Sequence, residues 1–369
     1  MMFRNTLLVL ALAALLLLVT VMAAPHIPAM RDFDQTFYPA VRYTLAGENP
    51  YTAYYEETDQ GAPPDFFSPF WLLIILLPFG LLPLALARAL WLLFLIGVTF
   101  AGIGLLRWWG LKGLWPLALV ALPWSLIGIL FGQVTAVVFF GAVLGIVEVA
   151  KTRSSYQSAL IILLSLMLVG VKPQLGLFIA LPLLLQMAWR RDRRLVLVAL
   201  GGLLLLALSL AVTPPWLASK AVAVQAITAP HWKSTLEREL LLWQWPTWLA
   251  WPARSFVVAV MGLWLWRARQ LTPAWWSAWL AAVLIITPYT RAYDGVLLLP
   301  ILGQLVAQHR LHALVFLVTV IFYASISELG TVVTPLAAWL LFLPWRKLVT
   351  GGELSVVFSA DSNLSIHRE

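Results

Sequence analysis

The segment around which this chain is organised lies at residues 31–51 and reads RDFDQTFYPAVRYTLAGENPY. It follows the first apolar run, residues 6–24, and it carries carboxylates in a chain of which only 11% is charged. Apolar residues recur at three- and four-residue spacings between 34 and 46, which predicts a short helix with one apolar face, and Gly47 is suited to end it. Such a helix lies in the membrane interface and does not cross the bilayer.

The composition of the chain is that of a polytopic membrane protein. Apolar residues make up 62% of its 369 residues, so most of the chain must lie in lipid and not around a water-soluble core. The net charge of +8 does not indicate a nucleic-acid partner, because Lys and Arg cluster at the ends of apolar runs, as the positive-inside rule requires. The sequence has no cysteine, which excludes disulfides and thiolate metal sites.

The apolar runs predict an all-α fold of about twelve transmembrane helices. After residues 6–24 they occupy 66–83, 86–106, 114–131, 133–150, 157–171, 174–189, 195–213, 250–266, 273–288, 294–307, 311–327 and 331–345. We interpret run 114–131, which Pro and Gly interrupt, as a half-span, because this places Lys151 and the Arg190 cluster with both termini on the cytoplasmic side. Arg107 and Lys112 then lie outside, against the rule.

A single transmembrane domain is expected over residues 1–350, in the plasma membrane, followed by a cytoplasmic tail at 351–369. Three outer loops are expected at 25–65, 214–247 and 287–294. The first of them has an excess of acidic residues, which fits an extracytoplasmic face.

Asp32 and Asp34 are the first candidates for chemistry. A carboxylate beside a membrane can take the proton of an attacking hydroxyl if its surroundings tune its pKa. The alternative is a structural role, in which the acids are solvated, pair with Arg31 or Arg42, or begin the interfacial helix. The sequence leaves both interpretations open.

Two further polar segments interrupt apolar regions at predicted outer turns. In the first, Lys172 can hold a lipid phosphate with Gln174 as a donor, or the lysine can simply extend to the interface. In the second, Arg291 can grip a phosphate while Asp294 meets a sugar hydroxyl, or the two can form an ion pair that closes the loop.

The remaining candidates are possible substrate-binding side chains: Tyr38, Gln133, His231, Tyr289 and Tyr293. Gln133 either lines a cavity or packs between helices, and an ordinary loop histidine is the simpler interpretation of His231. The sequence contains no glycine-rich phosphate loop, HExxH or nucleophile-elbow motif, so nucleotide chemistry is not indicated.

Taken together, an ordered set of motifs resembles bacterial glycosyltransferase family 87, which contains polyprenyl-phosphate-mannose-dependent mannosyltransferases of the C-type membrane superfamily. The set comprises Asp32-Phe33, Phe37-Tyr38-Pro39-Ala40, Leu45 to Tyr51, Phe67-Ser68-Pro69-Phe70, Gly132-Gln133, Lys172-Pro173-Gln174, Thr287-Pro288, Tyr293-Asp294 and Leu297 to Pro300. The family's usual His-bearing segment is replaced here by Tyr289 to Asp294, so the acceptor stays open.

The resemblance implies a multi-span hexosyltransferase with the C-type fold. It would transfer a hexose, by family type mannose, from a polyprenyl-phosphate sugar to a lipid or glycan acceptor on the extracytoplasmic face, with inversion. Asp32 or Asp34 would be the general base, and Lys172 or Arg291 would stabilise the phosphate. No cofactor is implied, and a requirement for a divalent metal is left open.

Two other function classes compete with this one. A transporter or flippase of lipid-linked sugars would place ionisable groups near the bilayer midplane, whereas here the acids and Arg291 lie at one face. An extracytoplasmic glycan polymerase or ligase would use the 214–247 loop, with His231, Lys233 and Arg238.

Overall fold

The computed structural model of the chain describes residues 15, 18–51, 66, 68–110, 127–151, 155–212, 236–237, 240, 244–268, 271–287, 290–307 and 330–343. These residues form helices and the turns between them, and no strand occurs in those ranges. The predicted all-α class is confirmed for this part of the chain. His231, Tyr289, run 311–327 and tail 351–369 lie outside the described residues.

Eleven α-helices can be bounded in the described ranges. They are α1 Tyr38–Leu45, α2 Phe70–Gly80, α3 Leu84–Leu105, α4 Thr135–Ala150, α5 Tyr156–Gly170, α6 Pro173–Trp189, α7 Arg194–Val212, α8 Ala250–Ala268, α9 Pro273–Ile286, α10 Leu299–Ala307 and α11 Gly330–Phe342. Shorter helical segments are the 3₁₀ turns Ala24–His26, Leu106–Trp109, Thr247–Leu249 and Ala292–Leu298, and the π-helix Phe33–Phe37.

Three helical stretches are long and apolar enough to cross a membrane: Leu84–Trp109, Arg194–Ala211 and Thr247–Ala268. Other apolar helices are shorter. Helix α4, for example, has 16 residues, so at about 1.5 Å per residue it falls short of a hydrocarbon core of about 30 Å. The described residues therefore have the character of a helical membrane protein.

Helix α9 lies at the centre of the structure. Every residue from Ala274 to Ile286 is buried, and the helix packs against α8, α10 and α11. Helix α7 is equally apolar but turns Leu200, Leu203 and Leu204 outward. A helix that is apolar on all sides must be enclosed by protein or by lipid, and these two helices represent the two cases.

The short helix predicted at 34–46 is present, but it begins with one π turn. The π-helix Phe33–Phe37 continues directly into α1, and Phe33, Phe37 and Val41 are buried on its inner face. Gly47 ends the helix with φ at 79°. Its N–H donates to Thr44 at 3.1 Å and the N–H of Glu48 donates to Tyr43 at 2.9 Å, which is the Schellman arrangement.

Helix α6 starts in a way that determines the position of Lys172. Pro173 occupies its first turn, where the missing N–H is no loss and the fixed φ is favourable. The residue before a proline avoids the α region, and Lys172 accordingly has φ −117° and ψ 86°. The lysine therefore stands at the very start of the helix.

Candidate functional site

A buried cluster of three side chains joins segments that are far apart in the sequence. Lys172 Nζ lies 2.7 Å from Asp294 Oδ1 and 2.7 Å from Thr135 Oγ1. The Thr135 hydroxyl in turn donates to Asp294 Oδ1 at 2.8 Å. The exposed fraction is 8% for Lys172 and 1% for each of Thr135 and Asp294. The start of α4, the start of α6 and the 3₁₀ helix Ala292–Leu298 therefore meet at one point.

The ammonium group of Lys172 is surrounded by side chains that can interact with it. Besides its two oxygen acceptors, the ammonium lies 4.4 Å from the centre of the Tyr293 ring, within the range of a cation–π contact. The prediction that Lys172 extends to the interface is wrong, because the side chain is buried and ion-paired. Its predicted contact with a lipid phosphate stays a prediction.

The salt bridge to Asp294 is formed by Lys172. Its Oδ2 accepts the backbone N–H of Arg291 at 2.8 Å, while Lys172 forms the salt bridge to Oδ1. Lys172 therefore neutralises Asp294, and the predicted Arg291–Asp294 side-chain pair stays a prediction. The backbone bond still fixes the turn before Ala292–Leu298, and Arg291 remains partly exposed beside it.

Asp34 is held by Arg88 of α3, a residue that the sequence analysis did not select. Arg88 Nε lies 3.1 Å from Asp34 Oδ1 and Nη2 lies 2.8 Å from Oδ2, which also accepts the N–H of Met30 at 2.9 Å. Arg88 Nη1 donates to the carbonyl of Ile27 at 2.9 Å. One arginine thus fixes the segment from Ile27 to Asp34 against α3.

The predicted partners of Asp34 are wrong. Arg42 donates instead to the carbonyl of Gly80 at 3.2 Å, and Arg31 is exposed. Asp32, which directly precedes the π turn, is partly exposed. The two acids therefore have different surroundings although they are two residues apart.

Gly132 connects the acidic segment to the Lys172 cluster. Its φ is 72°, and a Cβ added to it would lie 2.6 Å from the Cβ of Phe33. Trp91 Nε1 donates to its carbonyl at 2.9 Å, and the Trp91 ring stacks on Phe33 with centroids 5.5 Å apart. The close contact places the Asp32 segment directly on the chain that leads into α4 and Thr135.

Gln133 lies in the sequence between Gly132, which contacts the acidic segment, and Thr135 of the Lys172 cluster. Its side chain is only 8% exposed, and its amide makes no hydrogen bond among the described residues. An amide without partners offers both a donor and an acceptor. Such a group is suited to bind a hydroxyl of a ligand.

The other predicted site residues have varied positions. Tyr38 donates its hydroxyl to the carbonyl of Leu82 at 2.8 Å, so this group stabilises the turn between α2 and α3. Gln174 lies in the first turn of α6, and its carbonyl is 3.5 Å from Thr287 Oγ1. Tyr293 is partly exposed and faces Phe131, with ring centroids 6.4 Å apart.

No protein-family model matches the chain, and neither does any curated protein or solved structure. Within the described residues there is also no group of three or more His, Asp or Glu side chains that could hold a metal ion.

Proposed function

We propose that this protein is a membrane glycosyltransferase of the C-type architecture with about twelve spans. It transfers a hexose from a polyprenyl-phosphate sugar to a lipid or glycan acceptor on the extracytoplasmic face. Mannose is the hexose that we propose. The observation that carries the proposal is the contact of Phe33 with Gly132, which sets the Asp32 segment against the turn that leads through Gln133 to Thr135 of the Lys172 cluster. An acid, a hydroxyl-binding amide and a polar buried cluster thereby lie at one end of the helices.

Asp32 is the general base in this proposal. Both oxygens of Asp34 already accept hydrogen bonds from Arg88 or Met30, which gives Asp34 a structural role. Asp32 accepts the proton of the acceptor hydroxyl while that oxygen bonds to the anomeric carbon of the sugar. The bond from this carbon to the phosphate oxygen breaks, and its electron pair leaves with the lipid phosphate. Attack from the opposite face inverts the configuration.

Arg291 is the main residue that stabilises the negative charge of the leaving phosphate. Lys172 and Asp294 neutralise each other, so their cluster has no net charge and suits the uncharged hydroxyls of a sugar. Arg291 is partly exposed next to this cluster, and a guanidinium can bind phosphate through two parallel hydrogen bonds. Lys172 contributes its charge only if the phosphate displaces Asp294.

The test is sugar transfer from labelled polyprenyl-phosphate mannose in membranes that contain the wild type, Asp32→Asn or Asp34→Asn. We expect Asp32→Asn to be present in the membrane in the same amount as the wild type but to lose transfer by about a hundredfold or more, the contribution typical of a general base. Asp34→Asn is the matched control, and it should lose thermal stability by freeing Arg88.

Two outcomes would contradict the proposal at different points. Full activity of Asp32→Asn would remove Asp32 as the base. Failure of the wild type to transfer sugar from both mannosyl and glucosyl carriers would exclude the donor class.

Transport of lipid-linked sugars is the second candidate, and the buried Lys172–Asp294 pair favours it. Ion pairs enclosed among membrane helices often mark a transport pathway. Proteoliposomes with a labelled lipid-linked sugar in one leaflet distinguish the two functions. A transporter moves the label across the bilayer and leaves the sugar on its carrier, whereas the proposed enzyme changes the carrier.

A further inference from the structure

The turn between α6 and α7 carries four arginines in five residues, Arg190-Arg191-Asp192-Arg193-Arg194. Arg190, Arg191 and Arg193 are exposed, and Arg194 is buried. The positive-inside rule predicts that this turn lies on the cytoplasmic face. It is therefore remote from the proposed sugar-transfer site, and the inference drawn from it is independent of that function.

Arg194 fixes this turn and is hydrogen-bonded to Asp192, the acidic residue within it. Its Nε and Nη2 donate to both carboxylate oxygens of Asp192, with Nη2 to Oδ2 at 2.6 Å. Its remaining donors reach the carbonyls of Glu148 and Lys151, each at 3.2 Å, and the hydroxyl of Ser158. The turn is thus tied to α4 and α5, and both carboxylate oxygens of Asp192 are hydrogen-bonded to Arg194.

Arg191 occupies a position that normally favours glycine. Its φ is 51°, in the left-handed region. The N–H of Arg191 donates to Ala188 at 3.0 Å and that of Asp192 to Met187 at 2.9 Å, so α6 ends in a Schellman arrangement with Arg191 at the glycine position. An arginine side chain here costs stability, which points to a role for its charge outside the fold.

Two of the exposed guanidinium groups have no acidic partner in the part of the chain that the structure describes. Among the described residues, neither Arg191 nor Arg193 makes a side-chain hydrogen bond or a salt bridge. Lys151, close to the same turn, is neutralised by Glu148. Arg190 Nη1 donates only to the carbonyl of Val149, at 3.3 Å. A compact patch of positive charge is therefore held in place by the rigid turn.

Apolar surface continues directly from this patch along both helices. Trp189 and Leu185 of α6 are exposed, as are Val196 and Leu200 of α7. A ligand that fits both regions has an anionic head and hydrocarbon chains. We propose that the turn at 190–193 is a binding site for an acidic phospholipid, whose phosphate contacts Arg191 and Arg193 while its acyl chains lie against these apolar side chains.

The test uses the full-length protein in a non-ionic detergent. Phosphatidylglycerol, or phosphatidylcholine with the same acyl chains, is added while the melting temperature is followed. We expect phosphatidylglycerol to raise the melting temperature and phosphatidylcholine to leave it nearly unchanged. The double variant R191Q/R193Q should weaken phosphatidylglycerol binding by roughly tenfold, because it removes two charges that attract the anionic head group.

Two control variants make the test specific. R107Q/R267Q removes the same charge from exposed arginines elsewhere on the surface and should bind phosphatidylglycerol like the wild type. Arg191→Gly removes the charge at a position where glycine is favoured. It should therefore keep or raise the melting temperature without lipid and still bind phosphatidylglycerol more weakly.

Three results would overturn the proposal. The first is an equal loss of binding in both double variants, which would show attraction by the overall charge. The second is unchanged binding by Arg191→Gly and R191Q/R193Q. The third is an equal rise in melting temperature with inorganic phosphate alone, which would show an anion site that does not need a lipid.

Discussion

Lys172 Nζ and Asp294 Oδ1 lie 2.7 Å apart although the two residues are separated by 122 positions in the chain. The pair connects the start of α6 to the 3₁₀ helix Ala292–Leu298, and Thr135 adds the start of α4. Both charges are buried, so each depends on the other for its solvation. The geometry of the candidate site therefore rests on a few polar contacts among helices.

Removal of one member of the Lys172–Asp294 pair should be more harmful than removal of both. Lys172→Met or Asp294→Asn alone leaves an unpaired buried charge, and we expect each to lower the free energy of unfolding by about 3–5 kcal/mol. The variant K172M/D294N should be less destabilised than the sum of the two. Chemical unfolding of the purified protein measures all four members of this cycle. Additive effects would show that the two side chains are not coupled.

Thr135 should act through its hydroxyl and not through its shape. Thr135→Val keeps the volume but removes the acceptor of Lys172 and the donor to Asp294, so we expect a loss of about 1–3 kcal/mol in stability. Thr135→Ser retains the hydroxyl and should restore most of this loss. Unfolding curves of the two variants provide the comparison, and equal destabilisation by Val and Ser would show that the hydroxyl alone does not account for the contribution of Thr135.

Gly132 should tolerate no side chain. Gly132→Ala places a methyl group 2.6 Å from Phe33 Cβ and strains a residue with φ at 72°, so it should displace the Asp32 segment and lower both melting temperature and sugar transfer. Gly97→Ala in α3 is the matched control, because a Cβ there meets no atom within 4 Å. Similar melting temperatures and activities for the two variants would contradict the close packing at Gly132.

The Asp192–Arg194 contact should make a pH-dependent contribution to stability. Burial of Asp192 opposes its ionisation, but the hydrogen bonds and charge of Arg194, with the charge of Arg190, outweigh burial and hold its pKa below the usual value. A carboxyl group whose folded pKa is lowered stabilises the protein above its unfolded pKa of about 3.9 and loses this contribution as the pH falls through the folded value.

Melting temperatures of the wild type and Asp192→Asn from pH 7 to pH 3 test this prediction. The difference between them should be constant at neutral and mildly acidic pH and should shrink below about pH 4. A difference that grows on acidification would mean that the sign of the pKa shift is wrong.

Much of the helical architecture follows from the apolar runs alone. Run 195–213 corresponds to α7 Arg194–Val212, and run 174–189 to α6 Pro173–Trp189, because the charged residues and proline at these ends mark where the helices begin or stop. Run 294–307 instead divides into the 3₁₀ helix Ala292–Leu298 and α10. The two helix types differ in residues per turn, but a run that is apolar at nearly every position has no polar face from which that period could be read.

The site was predicted less completely than the helices. Lys172, Gln133 and Asp294 were selected because polar residues inside apolar regions need a reason, but their pairing depends on tertiary contacts that spacing does not encode. Arg88 could have been selected from the sequence, since it is a lone cation within the apolar run 86–106. Nothing in the sequence distinguishes Thr135, because a threonine at the start of an apolar helix is common.

The π turn that begins after Asp32 and contains Asp34 changes how the two acids are spaced from the apolar face of the helix. A π-helix accommodates one more residue per turn than an α-helix, so the spacing from either acid to Phe37 and Tyr38 does not follow α periodicity. The distinction came from the contacts of Arg88 and Met30, both with Asp34.

Burial of the whole of α9 has a consequence for how the two kinds of helix tolerate change. On the outward side of α7, one large aliphatic residue can replace another, because lipid chains adapt to any apolar shape. Helix α9 is enclosed by other helices, and even Trp279 at its middle is fixed by a hydrogen bond from its indole to the carbonyl of Phe178. Equally hydrophobic substitutions should therefore be neutral in one helix and disruptive in the other.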